Sequence, residues 1–121
     1  MNPSDPEYWK TVLGSGGGRI AFRSVPLSIG QSPYWHAGAR IDFSNGRIVD
    51  AAVALTGPED EPRRLGAIED ALMSGILTDA DSVLDAVVGL VDCKDDADGS
   101  AAAKNYLAGW VCAAVVGRCL S

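Results

Sequence analysis

Residues 34–55 read YWHAGARIDFSNGRIVDAAVAL, and the fold turns on how this stretch is read. Trp35, Ala37, Ala39, Ile41 and Phe43 occupy alternate positions, with His36, Gly38, Arg40 and Asp42 between them. Alternation with a period of two marks a strand that buries one face. Ser44-Asn45-Gly46 turns the chain, and Arg47 to Leu55 returns as a second strand.

The pairing between these strands follows from the apolar match. A two-residue Asn45-Gly46 loop with regular pairing sets Ile41 against Asp50 and Asp42 against Val49, charge against apolar group on both faces. A three-residue loop with Gly46 left-handed moves the pairing by one. Ile41 then meets Val49, Ala39 meets Ala51, Ala37 meets Val53, and Trp35 meets Leu55, while Arg40 meets Asp50 on the other face. A slip of one residue flips every side chain, so the apolar match predicts the bulged hairpin.

Toward the N-terminus, Arg19 to Ser24 alternates as a further strand, and Pro26 marks an edge or a bulge. Gly30 to Pro33 reads as a turn. Ser4-Asp5-Pro6-Glu7 has the spacing of a capping box and predicts a short helix to about Leu13, ended by Gly14. Toward the C-terminus the pattern becomes helical. Asp60-Glu61-Pro62 is expected to open a helix with Leu65, Ile68, Leu72 and Ile76 on its stripe. Thr78-Asp79-Ala80-Asp81 caps a second, striped by Leu84, Val87, Val88 and Val91. After the loop Lys94 to Gly99, Ser100 starts a last helix running to about Cys119, apolar nearly all round. Such a helix is central or is shared with a second subunit. The predicted order is α-β-β-β-α-α-α. It is an α+β fold with a short N-terminal helix, a three-stranded antiparallel sheet and three helices packed on one face, forming a single domain over residues 1–121.

A chain of 121 residues buries about two thirds of its unfolded surface and needs no metal or disulfide to hold a core. The net charge of −6 is unevenly placed. Up to Gly57 there are five basic and four acidic residues; from Pro58 onward there are five basic and twelve acidic, all twelve between Glu59 and Asp98. That field repels nucleic acid and anionic membranes and attracts basic surfaces. The cysteines, Cys93, Cys112 and Cys119, are odd in number and lack C-x-x-C spacing. On a helix, Cys112 and Cys119 stand about 10 Å apart along the axis, beyond the roughly 7 Å between Cα atoms that a disulfide spans. Reduced, buried thiols are expected, as in a cytoplasmic protein. The first ten residues carry neither the basic nor the apolar segment of a signal peptide. The uncharged run Asn105 to Gly117 is shorter than the ~20 residues of a membrane span.

No motif commits to a reaction. The Gly14–Gly18 loop lies between a helix and a following strand, the reverse of a dinucleotide fingerprint, and no Lys-Ser or Lys-Thr follows it as in a phosphate loop. His36 is the only histidine; a polar-face strand position accounts for it, and no paired Cys or His spacing suggests zinc. With Gly99 at the sixth position of a calcium loop, Lys94 and Asn105 stand where a carboxylate and a bidentate Glu belong. Residues 94–99 therefore read as a solvated turn. Glu69-Asp70, Asp79, Asp81 and Asp85 offer carboxylates, but outward helix carboxylates are ordinarily solvated. No cofactor or metal is expected.

Capping explains Asp60 and Asp79, and the helix dipole favours Asp81 in its first turn. It leaves an acidic excess with few counter-charges nearby. The expected function is a small acidic non-enzymatic protein-binding module, an inhibitor of the antitoxin or immunity type or a phage-encoded blocker of nucleic-acid-binding machinery. Asp81, Asp85, Asp92, Asp95, Asp96 and Asp98 would dock on a basic protein surface, with Tyr34, His36 and Arg40 as a secondary contact. One alternative is a homodimeric assembly subunit joined through Cys112, Val116 and Cys119 of the apolar last helix. Another is a small enzyme using His36 and a cysteine, with Cys93 the first to test.

Overall fold

The computed structural model describes residues 3, 5–14, 18–26, 33–57, 61–96 and 99–121. Helix α1 (Pro6–Leu13) leads into strands β1 (Arg19–Pro26), β2 (Pro33–Ser44), β3 (Arg47–Thr56) and β4 (Arg63–Arg64). Helices α2 (Gly66–Met73), α3 (Ala80–Leu90) and α4 (Ala101–Leu120) follow. The strands form one antiparallel sheet in the order β1-β2-β3-β4. The predicted Ser4 cap, Ser15 to Gly17 of the glycine-rich loop, the turn from Gly30 to Ser32, Asp60 and Asp98 lie outside the described residues.

The central hairpin keeps the predicted faces but not the predicted loop. Asn45 (φ 53) and Gly46 (φ 78) are both left-handed, so the connection is a two-residue turn whose twist suits the flanking strands. Ser44 pairs with Arg47 and Phe43 with Ile48; then a bulge omits Val49 from the ladder. Beyond it Ile41 meets Ala51, Ala39 meets Val53 and Ala37 meets Leu55. The pairing is displaced by two residues from the expected register, and a shift of two leaves every side chain on its face. Asp42 and Asp50 come to lie opposite one another, and Arg40 reconciles them by reaching both, at 2.8 and 3.1 Å.

The fourth strand replaces the expected opening of a helix at Asp60-Glu61-Pro62. Arg63 and Arg64 pair with Leu55 and Ala54, and the Leu65 amide donates to the Val53 carbonyl at 2.8 Å. The Glu69 carboxylate of α2 accepts from the Val53 amide at 2.9 Å and from Arg64 Nε at 2.5 Å, which ties β3, β4 and α2 together. Helix α2 is accordingly short. Ile76, expected on its stripe, lies past its end and is 77% exposed, while Leu77 turns inward instead.

Helices α2 and α4 cover the sheet face that carries Trp35, Ala37, Ala39 and Ile41, and α3 packs on the far side of α4. The all-round apolar character of α4 follows from this position between two layers. The caps are as expected: Asp79 accepts from the Ser82 amide at 2.8 Å, and Ser100 from the Ala103 amide at 3.1 Å. The opposite sheet face has its own small core. Tyr8, Trp9 and Leu13 of α1 pack on Ala52 and Ala54, and Tyr8 Oη is hydrogen-bonded to Thr56 Oγ1 at 2.9 Å. Trp9 lies so close above Gly38 that a side chain there would overlap the indole.

Candidate functional site

Three of the predicted docking aspartates meet no described cation, although Asp81 also lies in the first turn of α3, where the helix dipole favours it. Asp81 and Asp85 lie one turn apart on α3, on the side away from buried Val83 and Val87, and Asp92 follows just past the helix end. All three are exposed, and no described cation lies within ion-pair distance of any of them. The other two described members have structural roles. Asp95 Oδ1 accepts from the Ala101 amide at 2.6 Å, satisfying one of the unpaired donors at the start of α4. Asp96 Oδ2 holds the Lys104 ammonium at 2.8 Å.

Lys104 is the residue that sequence reasoning passed over. It lies in the first turns of α4, is only 2% exposed, and its backbone carbonyl accepts from Trp35 Nε1 at 3.0 Å. Its hydrogen bond to Asp96 raises its pKa above the ordinary lysine value, against the opposing effect of burial. A cavity of about 370 Å³ beside it is lined by Tyr34, Trp35, Arg63, Cys93, Asp96 and Lys104, among others. The signal was visible in the sequence: Lys104 interrupts an otherwise uncharged stretch, four residues after the Ser100 cap and eight after Asp96.

The expected secondary contact is not assembled. Arg40 is 7% exposed and lies under α1, where Nε donates to the Leu13 carbonyl at 3.1 Å. His36 is half-buried and hydrogen-bonded through Nδ1 to Ser24 Oγ at 2.6 Å; burial lowers its pKa below the ordinary histidine value. Tyr34 sits on the helical side, edge-on to Trp35 with ring centres 5.3 Å apart. Nor are His36 and Cys93 brought together, because they lie on opposite faces of the sheet. None of the three cysteines is in a disulfide. Burial pushes the Cys112 thiol up to about 12 and raises that of Cys119. Cys112, Val116 and Cys119, named for a dimer interface, are buried within the protomer and offer no surface to a second copy. Among the described residues, no three His, Cys, Asp or Glu side chains converge as a metal site, and no helix is long and apolar enough to cross a membrane.

No family model matches the chain, and no curated protein does. Solved structures do share its fold. Quinoline 2-oxidoreductase from Pseudomonas putida 86 superposes with a TM-score of 0.68 at 20% identity over 84% of this chain. The Cu,Mo-CO dehydrogenase in its cyanide-inactivated form gives 0.67, also at 20% identity and 84% coverage. Carbon monoxide dehydrogenase from Hydrogenophaga pseudoflava, in a form lacking the Mo-pyranopterin moiety of the molybdenum cofactor, gives 0.66 at 21% identity over 83%. In each case the match spans only 36% of the solved chain. At this identity the likeness is one of fold alone.

Proposed function

We propose that this chain is a non-enzymatic protein-binding module that docks the acidic face formed by Asp81, Asp85 and Asp92 on a basic surface of another protein. The observation that carries the reading is the contrast among its acids. Asp79, Asp95, Asp96 and Glu69 each cap, pair or bridge, whereas Asp81, Asp85 and Asp92 meet no described cation. Uncompensated like charge costs stability through self-repulsion, a cost that a complementary partner removes. Two further points support a module over an enzyme. The chemistry-bearing residues His36 and Cys93 lie apart, and the fold occurs as about a third of longer oxidoreductase chains, as one part of a larger protein. An inhibitor, of the immunity or antitoxin type or a blocker of nucleic-acid-binding machinery, is the form such a module takes in this reading. The reduced thiols suit the cytoplasm.

The test is capture of partners by the chain and by its Asp81→Lys, Asp85→Lys, Asp92→Lys variant side by side, quantified by mass spectrometry. Asp95 and Asp96 stay untouched because the start of α4 depends on them. The proposal expects basic proteins retained by the parent and lost from the variant. Equal capture by both would mean that the acidic face only confers solubility.

A further inference from the structure

We propose that the outer edge of β1 is a strand-addition site for an extended segment of another protein that alternates acidic and apolar residues. β1 is the first strand of the sheet, eight residues long, and among the described residues only β2 pairs with it. An edge strand turns unpaired N–H and C=O groups outward, and only another extended backbone satisfies them in series. A groove of about 520 Å³ runs along this edge with α4 as its wall, lined by Ile20, Phe22, Arg23, Ala114, Val115 and Arg118.

The charges along the edge specify the occupant. Arg19 and Arg23 project on the α4 side of β1, and Arg118 faces the same groove from α4. None of the three forms an ion pair with a described carboxylate. Two of them are held in place. The Arg23 guanidinium lies 4.6 Å from the centre of the Trp110 ring, and Arg19 Nη1 donates to the Cys119 carbonyl at 3.3 Å. On the opposite face of the strand, Ile20 and Phe22 are 44% and 40% exposed. An incoming strand therefore meets arginines on one face and apolar side chains on the other. A second copy of this chain is disfavoured, because antiparallel pairing brings the same arginines onto the same face of the joined sheet. Antiparallel pairing of two β1 edges about Ala21 sets Arg19 opposite Arg23 twice, and like charges directly across a sheet repel. The chain's own uncompensated acids lie on and just past a helix, so they cannot supply the strand. This site is distinct from the acidic face and selects a partner of opposite charge.

The experiment uses the full chain and two synthetic peptides of β1's length, one alternating Glu and Val, the other Lys and Val. Affinity is read by titration and location by amide hydrogen exchange. The Glu–Val peptide is expected to bind, to slow exchange over residues 19–26, and to lose about tenfold or more in affinity against the Arg23→Glu, Arg118→Glu variant. The Lys–Val peptide is expected not to bind. Failure of the Glu–Val peptide to protect residues 19–26, equal binding of the Lys–Val peptide, or undiminished affinity in the variant overturns the proposal. Should the double variant lose its fold, Arg118→Glu alone decides, since Arg118 is exposed: several-fold weaker binding supports the site and unchanged affinity refutes it.

Discussion

At the residue scale, two positions on the sheet's second face show how tightly a small feature is determined. Gly38 carries no side chain because the Trp9 indole occupies that space. Replacing it with alanine forces the indole or the strand to move, and overpacking of this kind costs about 1–3 kcal/mol. Urea denaturation of Gly38→Ala should show that loss; a midpoint equal to the parent's would mean that Trp9 is not seated there. His36 is the second position. Its folded-state pKa lies below the ordinary 6.5 because burial disfavours the imidazolium. The unfolded chain therefore binds the proton more readily. The stability His36 contributes is complete above pH 6.5 and is lost as the pH falls from there through the folded-state value. Proton NMR should give a His36 midpoint below 6.5; a midpoint at or above it contradicts the burial.

At the scale of elements, one carboxylate ties β3, β4 and α2 together beside their backbone pairing and apolar packing. Glu69 is 8% exposed and accepts from both the Val53 amide and Arg64 Nε. Glu69→Ala leaves the Val53 N–H buried without a partner, a loss of about 1–3 kcal/mol. Glu69→Gln keeps an acceptor and should cost less. The reverse ranking in denaturation midpoints would dissociate Glu69 from the β3–β4 link. This junction also marks where the sequence stops being legible. The hairpin faces, the Asp79 and Ser100 caps and the central place of α4 were readable, because period-two alternation, cap residues and unbroken apolarity are local signals. The β4 pairing was not, because two residues carry no periodicity and their partner strand is set by tertiary contact. The hairpin register fell between these cases. Side-chain parity was readable from the apolar match and Asn45-Gly46 is itself a signal for the two-residue turn, but the bulge at Val49 that reconciles the two has no local signal in the sequence. The second small core had a quieter signal, since Ala52 and Ala54 lie on the face that His36, Arg40 and Asp42 make look polar.

For the whole molecule, charge is segregated. The net charge of −6 includes acids that stabilise helix ends, one that anchors buried Lys104, one that links β3 to α2, two held by Arg40, and exposed acids, Asp81, Asp85 and Asp92 among them, that meet no described cation. The candidate site was thus half legible. The acidic stretch stood out in the sequence, but separating structural acids from idle ones needed the hydrogen bonds of Asp95 and Asp96. Electrostatic docking leaves a kinetic mark, because complementary charges accelerate encounter and salt screens them over about 8 Å at physiological ionic strength. The most direct test is the association rate of the chain with a captured basic partner as a function of ionic strength. The account predicts a rate that falls steeply with added salt for the parent and is low and nearly flat for the Asp81→Lys, Asp85→Lys, Asp92→Lys variant. A parent rate indifferent to salt, or a variant that associates as fast as the parent, would contradict it.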